Sequence, residues 1–172
     1  MGKLWVPDNK IIHAGRYGAQ IVRAGVVIDE WEFDNICVNE GLIAILNAIF
    51  TGATLSSNWY MGVFQNNYTP VATDTASSIV ANSGEFTGYS GGARPTFTPA
   101  VASGAPTLTN SATRAAFTFT GAATLNGAFL ISSATPGSNT GTLFSAAQFG
   151  SPKSVGNTDQ LLLTYTLTAA SS

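Results

Sequence analysis

From about residue 19 onward, the chain breaks into short runs in which apolar and polar side chains alternate. Alternation places successive side chains on opposite faces of a strand. The last run shows it well: Leu161, Leu163, Tyr165 and Leu167 stand against Leu162, Thr164, Thr166 and Thr168. Shorter runs recur at 94–98, 114–120, 125–132 and 142–149, divided by Gly- and Pro-bearing clusters at 134–141 and 150–152. Residues 19–38 predict a hairpin whose strands, 20–23 and 26–33, flank Ala24 and Gly25. A glycine at a two-residue turn supplies the positive φ such turns need. In the second of these strands Trp31 and Phe33 alternate with Glu30, Glu32 and Asp34, giving one aromatic and one acidic face. Residues 59–64 are apolar on both faces, which predicts a central strand.

One segment has the helical period instead. Leu42, Ile45, Leu46, Ile49 and Phe50 fall at i, i+3, i+4, i+7 and i+8, a single apolar stripe expected to pack on the sheets. The helix is predicted over 39–51, with Asn39 as its cap and Gly52 as its stop. A shorter helical turn is expected near 73–79. Residues 1–18 contain Pro7 and several glycines without a clear period, and read as an N-terminal arm. The expected fold is mainly β: an antiparallel, jelly-roll-like sandwich over 19–172 with one amphipathic helix and that arm. Phe117, Phe119, Phe129, Leu161, Leu163 and Tyr165 are expected between its two sheets.

Composition narrows the function. Hydrophobic residues make up 45% of the 172 positions and charged residues only 9%, where about 25% charged is usual. A chain so short of charge is expected to hide surface against partners. Ten of its sixteen charged side chains lie in the first forty residues. The net charge of −2 offers no electrostatic footprint for nucleic acid. No basic amphipathic helix for a membrane surface is present, the N-terminus lacks the apolar core of a secretory signal, and the longest apolar run is too short to span a bilayer.

Candidate chemistry is sparse. His13, the sole histidine, has no context suggesting a triad. Cys37, the sole cysteine, reads as a small buried hydrophobe. Glu30, Glu32 and Asp34 lie on one strand, whereas a glycosidase brings its two carboxylates from opposite sides of a substrate. Asp74, Glu85 and Asp159 are scattered singly and do not form a calcium loop. Gly91 and Gly92 lack the Lys-Ser/Thr of a phosphate loop. Arg94 either pairs with Glu85 across the intervening loop or is solvated. No catalytic, cofactor-binding or metal-ligating residues are therefore expected. Gly41, Gly62 and Gly127 are expected at tight turns or close backbone approaches.

Three stretches carry a family likeness. The first runs Trp31-Glu32-Phe33-Asp34-Asn35-Ile36-Cys37-Val38-Asn39-Glu40-Gly41-Leu42. The second is Trp59-Tyr60-Met61-Gly62-Val63-Phe64, followed by Asn67-Tyr68-Thr69-Pro70 and Thr73-Asp74-Thr75-Ala76. The third strings together Gly84-Glu85, Tyr89, Arg94-Pro95, Ala116-Phe117-Thr118-Phe119, Asn126-Gly127-Ala128-Phe129-Leu130 and Gly141-Thr142-Leu143. This order resembles small virion structural proteins of tailed bacteriophages, among them the cementing (decoration) proteins of the outer capsid surface. The resemblance implies a jelly-roll-like sandwich, homo-oligomerisation on the virion, the major capsid protein as partner, synthesis in the host cytoplasm and no catalysis. Trp5 and Pro7 in the arm, and Glu30, Glu32 and Asp34 on the hairpin, are the expected partner contacts. The alternative is a receptor-binding or fibre-tip module of the tail, with Trp59, Tyr60, Tyr68 and Tyr89 as an aromatic platform.

Overall fold

The computed structural model describes residues 11–100 and 104–171. Two antiparallel five-stranded sheets pack face to face. The first contains β1 (Ile11–Arg23), β2 (Val26–Asp34), β6 (Thr107–Thr109), β7 (Ala115–Thr118) and β10 (Gln160–Ser171). Its order is β2-β1-β10-β6, and β7 also pairs with β10. The second contains β3 (Ile36–Cys37), β4 (Trp59–Phe64), β5 (Thr96–Phe97), β8 (Ala123–Ile131) and β9 (Leu143–Val155), in the order β3-β9-β8-β4-β5. Helix α1 (Asn39–Phe50) follows β3, and α2 (Ala76–Ser83) follows β4.

The expected hairpin is present, and its turn has φ of 49° at Ala24 and 80° at Gly25. Positive φ at both central residues twists the chain with the flanking strands. Part of the segment expected as an arm is strand instead. Residues 11–18 belong to β1, which pairs with β10 from Ile11 opposite Ser171 to Val22 opposite Gln160. Tyr17, Ala19 and Ile21 are buried while Arg16 is exposed, so a strand period does exist there. Gly15 and Gly18 dilute it in the sequence. Trp5 and Pro7 lie outside the described residues. The break expected at 150–152 is absent, since β9 runs on to Val155.

Two apolar clusters form. One fills the space between the sheets and includes Tyr17, Ile21, Met61, Val63, Phe117, Phe119, Leu161, Leu163 and Tyr165. The other lies on the far side of the second sheet, where Phe64, Phe129 and Ile131 meet Ala76 and Ile79 of α2. The second sheet is thus buried on both faces, which explains the doubly apolar β4. It also corrects one expectation: Phe129 is buried, but under α2 rather than between the sheets.

Two glycines make this second cluster possible. Gly62 pairs with Phe129 and Gly127 with Phe64 across adjacent strands. A Cβ at Gly62 would collide with the Phe129 ring, and one at Gly127 with the Phe64 ring. Each ring therefore lies over the glycine of the facing strand.

Helix α1 spans the expected residues but turns a different face inward. Gly41 is its only buried residue, and Ala44, Ile45 and Ala48 are half-buried. These four fall at i, i+3, i+4 and i+7, a stripe of mostly small side chains. A Cβ on Gly41 would stand 2.7 Å from the Phe144 Cα of β9, so the first turn sits directly on that strand's backbone. Close approach selects small residues; of the expected stripe Leu42 and Ile45 are half-buried, Ile45 against the core, and the rest is turned outward. Leu46, Ile49 and Phe50, expected to pack on the sandwich, are 53%, 66% and 77% exposed. Asn39 does not cap the helix; the cap position is Val38, without a side-chain bond. Glu40 instead accepts hydrogen bonds from the Ala76 and Leu143 backbone nitrogens, tying α1 to α2 and β9. Gly52, with φ of 70°, ends the helix as expected.

Candidate functional site

The first candidate surface is apolar. Ile43, Leu46, Ile49 and Phe50 of α1 stand exposed. Nearby, Ile45, Leu55, Trp59, Phe97, Leu108 and Leu167 line a groove of about 240 Å³ at one end of the sandwich. No charged residue occurs anywhere from 41 to 73. Among the described residues nothing covers the exposed turns of α1, so their apolar area is left in water at a free-energy cost.

The second surface is polar. The outer face of the first sheet forms a cleft of about 710 Å³ around Gly18. Strand alternation puts Arg16, Gly18 and Gln20 of β1 beside Thr164 and Thr166 of β10 on that face, with Glu30, Glu32 and Asp34 of β2 forming one wall. The three acids were expected as a bare carboxylate stripe. They lie together, but cations share their face. Arg16 Nη2 is 3.1 Å from Glu32 Oε2, and Gln20 Nε2 donates to Glu30 Oε1 at 2.7 Å. Arg114 Nη1 donates to the side-chain Oε1 of Gln20 from the opposite wall. Arg16, Arg114 and the Gly18 floor were not singled out in the sequence. The signal was present in the residues opposite them, since the Thr face of β10 had to lie beside something.

The three carboxylates scattered singly in the sequence are committed to structure. Asp74 accepts from Tyr68 Oη, the Val71 backbone and Ser78 Oγ. Asp159 takes a two-pronged bond from Arg23, at 2.9 and 2.7 Å, and accepts from the Gly156 nitrogen. The Arg23 guanidinium and that backbone donor hold its carboxyl at about 2. Glu85 is paired with Arg94 in the interior. Among the described residues, no three His, Cys, Asp or Glu side chains converge as a metal would require.

Between the sheets, Tyr17 Oη and Ser145 Oγ share a hydrogen bond of 2.8 Å, and Asn35 Nδ2 donates to Tyr165 Oη at 3.1 Å. Burial pushes both phenols well above their usual range, so they stay neutral and bridge the layers. Cys37 Sγ lies 3.7 Å from Tyr165 Oη and is half-buried. A neutral phenol does not activate a thiol.

The aromatic platform does not assemble. Tyr89 is buried against Phe117, Trp59 packs edge-on to Phe144, and Tyr68 is bonded to Asp74. No protein-family model matches this chain, and no curated protein matches it.

Proposed function

We propose that this chain is a structural protein of a tailed-phage virion that binds the major capsid protein and cements the head. The observation that carries the proposal is the exposed face of α1. A stripe of Ile43, Leu46, Ile49 and Phe50, beside an uncharged groove, is the surface of a subunit held by another protein. The residue order described above resembles that of phage virion proteins, and the low charge agrees with a subunit that hides surface in an assembly. A cement stabilises only the assembled shell, so its effect follows mass action on the lattice.

The jelly-roll-like connectivity and the homo-oligomer belong to the same proposal. Pairing of the first strand with the last, β1 with β10, supports the former. Residues 1–10, with Trp5 and Pro7, and the wall of Glu30, Glu32 and Asp34 are further contacts.

Electron microscopy of the particle tests the placement. Density for the sandwich at every repeat of the capsid lattice is expected. Density confined to the tail tip replaces cement with receptor binding.

A further inference from the structure

We propose that the polar cleft on the outer face of the first sheet is a binding site for a neutral saccharide, with Gly18 as its floor. Gly18 lies in the interior of β1, opposite Thr164 on one side and Glu32 on the other. A glycine inside a strand weakens it, and is retained for a positive φ, a bulge or the close approach of another group. Gly18 has no positive φ. The register is regular through it, and the irregularity in this hairpin falls between Ile21 and Val22. No neighbour of the fold crowds it either, since an added Cβ would come no closer than 3.8 Å to Thr164 Cβ. What remains is the open space above it. That space, about 710 Å³, falls within the roughly 300–1,000 Å³ of small-ligand sites.

The lining selects the ligand. Arg16 and Arg114 donate, Glu30, Glu32 and Asp34 accept, the Thr164 hydroxyl does both, and the Thr166 hydroxyl, which donates to Thr109 Oγ1, accepts. Three carboxylates against two guanidiniums repel a phosphate or sulfate. Glu30 and Glu32 already accept from Gln20 and Arg16, so they are not a free cation site. A chain of hydroxyl groups, each both donor and acceptor, matches this mixture of fixed donors and acceptors. Tyr17 is buried below the face, and the Trp31 ring packs against Phe33 and Phe149, so neither offers a stacking surface. Binding without a stacked ring is expected to be weak, with a Kd on the order of 1 mM.

The test is an amide-resolved NMR titration of the full chain with maltohexaose, cellohexaose, mannohexaose and the hexamer of N-acetylglucosamine. At least one is expected to shift the Gly18, Thr164 and Thr166 amides saturably. Gly18→Leu fills the cleft from its floor and is expected to weaken that binding by about tenfold or more, as is Arg114→Ala, which removes an exposed donor. Absence of saturable shifts with every one of these sugars overturns the proposal. So does binding that Arg114→Ala leaves unchanged, a variant whose exposed position keeps the fold intact even if Gly18→Leu does not fold. The capsid proposal, carried by the exposed face of α1, stands under either outcome; saturable sugar binding would assign Glu30, Glu32 and Asp34 to the saccharide rather than to the capsid.

Discussion

Arg94 and Glu85 form a buried, two-pronged ion pair: Nε to Oε1 and Nη2 to Oε2 are each 2.7 Å, and neither side chain has appreciable exposure. Arg94 also donates to the carbonyls of Ser133 and Ser138, while Glu85 accepts from the Gly137 nitrogen. The pair therefore pins the loop between β8 and β9 onto the segment that follows α2. The guanidinium sits 5.4 Å from the centre of the Phe129 ring. Of the two sequence expectations for Arg94, pairing is the one the structure shows.

Breaking that pair leaves an uncompensated charge in the interior. Glu85→Ala is expected to cost about 3–5 kcal/mol. The Glu85→Ala, Arg94→Met double variant should lose less than the sum of the two single changes. Denaturant unfolding of the four proteins measures this, and strict additivity would mean the two side chains do not act as a unit.

The reciprocal packing of β4 on β8 gives a second test. Gly62→Ala pushes a methyl into the Phe129 ring and is expected to destabilise by about 1–3 kcal/mol. Adding Phe129→Leu makes room for the methyl, so the Gly62→Ala penalty should shrink in that background. A penalty of the same size in both backgrounds would show that the ring does not lie over the glycine.

Much of this fold was legible beforehand because its strands alternate. The β1–β2 turn, β4, the span of α1 and β10 follow from period and turn chemistry, and Phe117, Phe119, Leu161, Leu163 and Tyr165 fall in the predicted core. The rest depended on information the local pattern does not carry. Two-residue β3 and three-residue β6 are too short to show a period. The inward face of α1 was set by close approach to β9, which favours Gly41 and the alanines over the bulkier stripe. The cleft was hidden because its parts, Gly18, Glu30, Arg114 and Thr164, come together only through sheet pairing.

Ala24 sits at φ of 49° in the β1–β2 turn, a region that penalises a Cβ by roughly 1–2 kcal/mol. Ala24→Asn creates the preferred Asn-Gly pair. It is expected to raise stability by about 1 kcal/mol, seen as a higher denaturant midpoint at constant slope. No gain would argue against this turn geometry.

Asp159 should shape the acid limb of the stability curve. Its carboxyl titrates at about 2 in the folded chain, against about 4 when unfolded. A depressed folded value contributes stability above pH 4 that is lost as pH falls toward 2. Asp159→Asn should therefore be less stable near neutrality and show a shallower decline between about pH 4 and 2. Parallel pH profiles for the two proteins would contradict the Arg23–Asp159 pairing.

In the proposed cement role the apolar face of α1 is the contact with the capsid, and co-sedimentation reads it directly. Capsid shells of the phage proposed to carry it, prepared without this protein, are mixed with the wild-type chain or with Phe50→Asp, a change at a residue 77% exposed that leaves the core untouched. Wild type should sediment with the shells to a saturating, lattice-wide ratio, and Phe50→Asp should remain in the supernatant while melting as wild type does. Failure of the wild-type chain to sediment with the shells, or equal binding by Phe50→Asp, would contradict a cement held through this helix.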